Sequence, residues 1–316
     1  MNTTVECFNE TSAVWELPQR LGLAGDLRRL QSLLASWTEE TDPEVRPMIQ
    51  AQLSGRAKYF RPVTIFACYR SMTDKEPSAK VLAAAAGLEL LHNVSLIVDD
   101  ILDRSRYRRG NLSLHCRYGF LPALMTSGYI MSAASRLVAA DAYSVTLFSE
   151  LMQRLGVAEC LQWRLRRHAL GTEDWRKIAG EDTGSMFEIC ARLGTRDNRL
   201  QKFGALLGIL YHGCDDVADV RGTTALGGGS AKDIEDAILT LPVAVAVRDP
   251  ETARLFRQSN PQNRAALTHR LQEALPEAED YLDQIAQEAE AEALANSKYP
   301  ERLISLIRDT RLLSRA

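Results

Sequence analysis

The chain has 316 residues, of which 46% are hydrophobic and 25% charged, and its formal net charge is −3. This length supplies ample material for a large buried core and leaves room for one or two domains. The nearly balanced charge argues against a dedicated nucleic-acid-binding protein, which is usually strongly basic.

The N-terminal segment, residues 1–25, is predicted to be a polar arm. Residues 1–17 carry three glutamates and no apolar core, so we expect no secretory signal peptide. Six cysteines are scattered along the chain without a Cys-x-x-Cys pair, which favours reduced, buried thiols over a zinc or redox site. These features predict a cytoplasmic protein.

Residues 26–316 are predicted to form a single all-α domain. Apolar residues recur three and four positions apart in segments such as 27–34 and 303–307, and alanine and leucine, which favour helices, dominate. No segment shows sustained alternation of polar and apolar residues with a hairpin turn. Proline and glycine fall mostly in connections, and the Glu- and Ala-rich stretch 273–296 is predicted to be a solvated amphipathic helix.

Residues 81–98 are mostly apolar and about long enough to span a bilayer. They include Glu89 and His92 and run into Asp99, and these groups would be costly in lipid. A buried helix of a soluble protein is therefore predicted, and no transmembrane segment is expected.

An acidic motif, Asp99-Asp100-Ile101-Leu102-Asp103, ends this apolar helix. Asp99 and Asp103 are four residues apart, so on a helix both carboxylates lie on one side, one turn apart. Like charges at this spacing repel unless a cation lies between them. Oxygen-only ligands suit Mg²⁺, which takes one or two carboxylates and completes its coordination with water and phosphate oxygens. Alone, the motif is also compatible with an ordinary acidic helix end.

A second motif, Asp215-Asp216-Val217-Ala218-Asp219, repeats this pattern directly after another apolar segment, 203–210. Two apolar helices that both end in this pattern predict two carboxylate clusters at the mouth of one cavity. A diphosphate bridged to them by Mg²⁺ would relieve the repulsion within both. Basic residues that suit phosphate oxygens occur at Lys58, Arg61, Arg108 and Arg109.

Taken in order, these motifs resemble those of a trans-isoprenyl diphosphate synthase of the polyprenyl synthetase family, from about residue 55 to the C-terminus. The matching segments are Ala57–Pro62, Leu88–Asp100, Arg108–Gly110, Ala158–Gln162, Asp215–Asp219 and Thr240–Pro242. The resemblance implies one large helical bundle around a central substrate cavity, of the class I terpenoid synthase type. It also implies a homodimer.

The family resemblance also implies a role for each matching residue. The catalytic residues would be Asp99, Asp100, Asp103, Asp215, Asp216 and Asp219. Three Mg²⁺ ions would be held by Asp99, Asp103 and Asp215, with the other three aspartates as further ligands or supporting groups. The substrate-binding residues would be Arg108 for an allylic prenyl diphosphate; Lys58, Arg61, His92 and Arg109 for isopentenyl diphosphate; and Gln162 and Thr183.

The implied reaction is a condensation that lengthens a trans-prenyl diphosphate. The metal ions stabilise the negative charge on the departing pyrophosphate. The double bond of isopentenyl diphosphate then attacks the allylic carbocation, and a proton is lost to pyrophosphate. The residues four and five positions before Asp99 are the small Ser95 and Val94, which implies a product of about twenty carbons or more, because aromatic residues cap the tunnel early at these positions in the family.

Several positions depart from the family pattern. Asp182 and Ile238 stand where the family has lysines that contact the allylic diphosphate, and losing them would weaken charge-assisted binding there. The other departures are Tyr59, Val98, Tyr129, His212 and Cys214.

These departures leave alternatives open. A class I terpene cyclase on the same fold, or transfer of the prenyl group to a non-standard acceptor, would also use the acidic motifs. A non-catalytic regulatory subunit of a prenyl synthase is a second alternative, although it would not need two intact motifs.

Overall fold

The computed structural model describes residues 16–54, 57–222 and 236–315. Residues 1–15 of the predicted polar arm lie outside these ranges, and the rest of the arm contains a short helix. The chain divides into two compact units. Unit 1 comprises Met1–Arg70 and Asp74–Ala142, and unit 2 comprises Ser71–Thr73 and Tyr143–Ala316. The single domain expected for residues 26–316 stays a prediction.

Unit 1 is almost entirely helical, as predicted. Its helices are α1 (Glu16–Arg20), α2 (Ala24–Glu40), α3 (Arg46–Leu53), α4 (Phe60–Met72), α5 (Ala79–Leu102), α6 (Leu114–Tyr118) and α7 (Phe120–Leu137), of which α4 ends in unit 2.

Helix α5 forms the centre of unit 1. It begins after Ser78, whose hydroxyl accepts a hydrogen bond from the amide of Val81 and so caps the helix. Its stretch Ala84–Val94 is buried throughout, and the helix packs against α7 and α2. Within the described ranges, α5 alone is long and apolar enough to cross a membrane. Of its most apolar stretch of 18 residues, 72% is buried in the protein. Core helices of soluble proteins share these properties, so the predicted absence of a transmembrane segment stays a prediction.

A short β-hairpin that the sequence did not indicate follows α5. Strand β1 (Tyr107–Arg108) pairs antiparallel with β2 (Asn111–Leu112). The two turn residues, Arg109 and Gly110, have positive φ angles of 52° and 84°. A type I′ turn requires positive φ at both central positions. Two-residue strands are too short to produce a visible alternation, and this explains why the pattern was missed.

Unit 2 is helical throughout its described part, apart from its connections. A single π-helical turn, Gly180–Gly184, joins α9 to α10. The helices are α8 (Ala142–Arg164), α9 (Thr172–Ala179), α10 (Ser185–Thr195), α11 (Gln201–Arg221), α12 (Leu241–Ala246), α13 (Pro250–Arg257), α14 (Arg264–Glu273), α15 (Leu275–Asn296) and α16 (Glu301–Leu312).

Helix α15 confirms the predicted amphipathic helix. One of its faces is buried, and the buried positions recur at three- and four-residue spacing, as in a helix with one apolar side. This face packs against α11, so α15 supports the helix that carries the second acidic motif.

Glycines on α11 allow α10 and the π-helical turn to approach closely. A Cβ atom at Gly208 would lie 2.6 Å from the carbonyl oxygen of Thr183, and one at Gly204 would lie 2.5 Å from the carbonyl oxygen of Phe187. Both distances are shorter than a real contact allows. The position of Thr183 therefore depends on glycine at position 208.

We predict that Gly208→Ala lowers the thermal unfolding midpoint, because an added methyl group in a packed contact costs about 1–3 kcal/mol. Gly156→Ala is the matched control, since Gly156 also lies within a helix but a Cβ atom added there would have no heavy atom within 4 Å. That control should gain up to about 1 kcal/mol from helix propensity. Equal midpoints for the two variants, measured by calorimetry, would contradict the close approach.

Candidate active site

The three carboxylates of the first acidic motif differ in how deeply they are buried. Asp99 and Asp103 are half-buried near the end of α5, whereas Asp100 is 1% exposed. Arg108 donates from Nε and Nη2 to Asp100 Oδ1 at 3.0 and 2.7 Å. Asp100 therefore ties the end of α5 to the hairpin, and Asp99 and Asp103 are the carboxylates nearer the solvent.

A histidine and an arginine from neighbouring helices form the second feature of unit 1. Arg61 Nη1 lies 2.9 Å from His92 Nε2. Because guanidinium groups only donate, Nε2 accepts this bond and the imidazole proton lies on Nδ1. Burial, with the charges of Arg61, Arg109 and Arg108, lowers the pKa of His92 well below its usual value, so the ring is neutral.

The Nδ1 atom of His92 is buried and has no hydrogen-bond partner in the described part of the chain. A buried donor without an acceptor costs about 1–3 kcal/mol. An anionic ligand that accepted this hydrogen bond would recover that energy. The substrate-binding role that the family resemblance implies for His92 stays a prediction.

Further charges surround this histidine. Burial raises the pKa of Glu89, while Arg109, Arg61 and a hydrogen bond from Asn93 lower it. Burial lowers the pKa of Arg109, and the nearby Glu89 opposes this effect. Burial and the charge of Glu89 raise the pKa of Tyr59 to about 12. The structure therefore brings arginines 61, 108 and 109 together near His92, with the buried Glu89 close to Arg61 and Arg109.

Tyr59 and Lys58 precede α4. Tyr59 stands where the family has an arginine, has a positive φ of 49° and makes a side-chain hydrogen bond with Gln31. Lys58 is exposed. Its predicted role in substrate binding stays a prediction.

The second acidic motif shows the same division. Asp215 and Asp219 are half-buried, and Asp216 is 8% exposed. Asp216 Oδ2 accepts hydrogen bonds from Trp175 Nε1 and from the amide of Leu241, both at 2.8 Å. Burial raises the pKa of Asp216, while His212 and these two donors lower it. Asp216 therefore joins α9, α11 and α12.

Two departures from the family pattern meet beside Asp216. His212 Nδ1 lies 2.9 Å from Thr183 Oγ1 and 3.4 Å from Asp182 Oδ2, and its Nε2 lies 3.8 Å from Asp216 Oδ1. The imidazole thus lies between two carboxylates. Thr183, a predicted substrate-binding residue, contacts His212.

The remaining predicted positions are more scattered. Gln162 and Ile238 are half-buried. Burial raises the pKa of the Cys214 thiol to about 12, and the thiol contacts Arg311 and Ser314 near the C-terminus. Tyr129 is exposed, and its hydroxyl accepts a hydrogen bond from the amide of Asp42 at 3.4 Å.

Sequence reasoning missed Trp175, the amide of Leu241, and Arg311. No motif marks the two side chains, and Leu241 contributes only its backbone. Trp175 and Leu241 contact Asp216 across 41 and 25 residues of chain. Arg311 gains its role from its contact with Cys214.

The donor set fits Mg²⁺ in chemical type. Each motif provides two half-buried carboxylates, at positions 99 and 103 in unit 1 and at 215 and 219 in unit 2. No three His, Cys, Asp or Glu side chains lie close enough in the described ranges to hold an ion by themselves. Mg²⁺ takes one or two carboxylates and completes its coordination with water and substrate oxygens. The assignment of Asp99, Asp103 and Asp215 as ligands stays a prediction.

Comparisons with known proteins agree on one family. The family model described as Polyprenyl synthetase matches residues 42–287. Nonaprenyl diphosphate synthase of Mycobacterium tuberculosis is 26% identical, over 95% of this chain and 94% of its own length.

Two solved structures show the same fold. Heptaprenyl diphosphate synthase from Staphylococcus aureus has a TM-score of 0.83 at 18% identity and covers 92% of this chain and 98% of its own. A polyprenyl synthase from Caulobacter crescentus, complexed with calcium and isoprenyl diphosphate, has a TM-score of 0.80 at 20% identity, with coverages of 97% and 99%. The expected all-α isoprenoid synthase fold is therefore confirmed.

We predict that Trp175→Phe lowers the free energy of unfolding by about 1–3 kcal/mol, because it removes a donor from a buried carboxylate. A double-mutant cycle with Asp216→Asn measures the charge-assisted part of that hydrogen bond, because asparagine keeps a neutral acceptor oxygen. The double variant should lose less stability than the sum of the two single variants. Trp37→Phe, in unit 1, is the control and should add independently to Asp216→Asn. Strict additivity of Trp175→Phe with Asp216→Asn would contradict the prediction.

Proposed function

The chain belongs to the polyprenyl synthetase family, and from this premise we propose that it condenses an allylic prenyl diphosphate with isopentenyl diphosphate. The carbon–oxygen bond of the allylic substrate breaks, pyrophosphate leaves, and the double bond of isopentenyl diphosphate attacks the resulting cation. Loss of a proton to the departing pyrophosphate completes a longer trans-prenyl diphosphate.

The observation that carries the proposal is the shared design of the two acidic motifs. In each, the second aspartate is buried and fixed by protein donors, and the first and fifth are the half-buried pair. Mg²⁺ bound by Asp99, Asp103 and Asp215 would act as a Lewis acid and stabilise the negative charge of the departing pyrophosphate. The number of ions, three, is part of the proposal.

The cationic side chains of unit 1 suit the diphosphate of isopentenyl diphosphate. Arg61, Arg109 and the Nδ1–H of His92 are donors near one another, and Lys58 would add a fourth. Arginine provides planar, forked donors that match phosphate oxygens. These residues would bind and orient this substrate so that its double bond reaches the allylic carbon.

The allylic diphosphate has fewer direct cationic partners. Asp182 and Ile238 provide no positive charge where the family has lysines. Arg108, part of whose guanidinium is engaged by Asp100, is the cation that we assign to this substrate. Its binding would therefore depend more on the carboxylate-bound metal ions. Gln162 and Thr183 complete the proposed substrate-binding set.

We propose a product of about twenty carbons or more. Val94 is buried in α5, and Ser95 donates a hydrogen bond to the carbonyl of His92 at 2.9 Å. Neither side chain is aromatic, so neither would block an apolar tunnel early. The buried helices would shield the cation from water.

The test is incubation with Mg²⁺ and allylic diphosphates of increasing length, with and without isopentenyl diphosphate. We expect longer diphosphates only when both substrates are present. Hydrocarbon or alcohol from the allylic substrate alone would instead indicate a terpene cyclase. Activity gained only on mixing with another synthase would indicate a regulatory subunit.

Asp99→Ala should lower kcat by about 100-fold or more, because Lewis-acid stabilisation of the transition state amounts to several kcal/mol. Asp280→Ala, an exposed carboxylate on α15, is the control and should leave the rate unchanged. Chelation of the metal with EDTA should stop turnover of the wild-type protein. An unaffected rate for Asp99→Ala would contradict the metal assignment.

We further propose that the protein is a cytoplasmic homodimer. Helix α7 exposes large apolar side chains along one side, and a second copy of the chain would cover them. They are Phe120, Leu121, Leu124, Met125 and Met131. The cysteines of the described ranges are free thiols, which suits a reducing compartment.

Leu121→Glu combined with Met125→Glu should convert the dimer to a monomer, because it places charges in an apolar interface. Light scattering after size-exclusion chromatography measures the mass directly. Leu294→Glu, at an exposed leucine on α15, is the control and should leave the dimer intact. A monomeric wild-type protein would contradict the proposal.

A further inference from the structure

The C-terminal end of α8 carries an exposed aromatic and basic surface that the proposed reaction does not use. Residues 163–168 read Trp-Arg-Leu-Arg-Arg-His and contain no acidic side chain. Trp163 is 70% exposed, the highest value among the exposed large hydrophobic side chains of the described ranges. Arg164, Arg167 and His168 are also exposed. We refer to residues 163–168 as the α8 corner.

The backbone of this corner is held in place. Arg167 has a positive φ of 65°, a conformation that is uncommon for a non-glycine residue. Its amide donates to the carbonyl oxygen of Ala237 at 2.9 Å, and its guanidinium donates to that of Ser259 at 3.1 Å. The corner therefore presents its side chains from a fixed turn.

Arg166 brings a positive charge directly beside the exposed indole. Its guanidinium carbon lies 4.4 Å from the centroid of the Trp163 ring, a cation–π arrangement. One of its nitrogens lies 4.0 Å from a carboxylate oxygen of Asp236. Despite this stacking, the indole stays mostly in water, so the fold does not account for its position.

The chemistry of the corner matches the surface of an anionic bilayer. Tryptophan prefers the headgroup level of a membrane, where its ring is apolar and its N–H remains hydrated. Basic side chains near an anionic surface each contribute about fivefold to binding. An acidic protein could form ion pairs with the arginines. It would offer no apolar layer in which the exposed ring of Trp163 could be buried.

We propose that the α8 corner docks on the surface of a bilayer that contains anionic phospholipid. Gln162, a proposed substrate-binding residue, directly precedes Trp163, so docking would place the substrate-binding end of α8 near the lipid surface. There it would release a long apolar product into lipid. This benefit depends on the proposed function, whereas the binding itself does not.

The test measures partition of the full-length protein onto vesicles by sedimentation, without substrate. One set of vesicles contains phosphatidylcholine alone, and the other has one third of it replaced by phosphatidylglycerol. We expect binding to the anionic vesicles only, with a blue shift of tryptophan fluorescence that Trp163→Phe largely removes.

Arg164→Glu should lower the partition coefficient about 30-fold, because it changes the charge by two units. Trp163→Ser should lower it about tenfold through the loss of apolar burial. The controls are Leu294→Ser, an exposed apolar residue, and Arg248→Glu, an exposed arginine, both outside the corner, and neither should change binding. Turnover with short, soluble substrates should stay unchanged in both corner variants. A protein inactive on those substrates that still binds through the corner would contradict the proposed function alone.

Three results would overturn the proposal. The first is equal vesicle binding by the wild-type protein and both corner variants. The second is wild-type binding to soluble polyglutamate but not to anionic vesicles, which would identify an acidic polypeptide as the partner. The third is a Trp163 fluorescence that acrylamide does not quench in the absence of vesicles, which would show that another copy of the chain already covers the indole.

Discussion

A carboxylate that is removed from water must be surrounded by hydrogen-bond donors, and this requirement organises both acidic motifs. Asp100 accepts two bonds from one arginine, and Asp216 accepts one from an indole and one from a backbone amide. Because these buried aspartates fix the rotation of their helices, the first and fifth aspartates of each motif are fixed as well. The half-buried carboxylates at 99, 103, 215 and 219 are thus pre-oriented by their buried neighbours, before any cation binds.

The sequence was sufficient to predict the helices and the four-residue spacing of these carboxylates, because both follow from local periodicity. It was not sufficient to distinguish the buried aspartate from its neighbours. The donor to Asp100 lies eight residues away, and Trp175 lies 41 residues from Asp216. Contacts of this kind depend on tertiary packing. The hairpin at Arg109 was missed for a related reason, since its two-residue strands carry no pattern of their own.

The residues that depart from the family pattern can also be explained only by their contacts in the folded chain. Tyr59 is engaged with Gln31 and lies near Glu89, so an apolar ring with one polar group replaces a cation in a buried setting. Cys214 contacts Arg311, so it takes part in the packing of the C-terminal helix. Asp182 contacts His212, which itself replaces the family's glutamine. Each replacement has local partners that match its own chemistry, and two of the replacements contact each other.

The charges around His92 and around the acidic motifs lead to different requirements for ligand binding. In unit 1, three arginines gather near His92, and two buried carboxylates offset only part of their charge. An anionic diphosphate therefore meets a net positive surrounding near His92, whereas Asp99 and Asp103 of the same unit would repel it unless a cation were bound. In unit 2, the carboxylates at 182, 215, 216 and 219 carry more negative charge than the nearby His212 could offset. A diphosphate would be repelled there unless divalent cations reversed the local charge. Under the proposed function, the substrate that keeps its diphosphate would bind near His92 without a metal, and the substrate that ionises would bind through cations held by Asp99, Asp103 and Asp215.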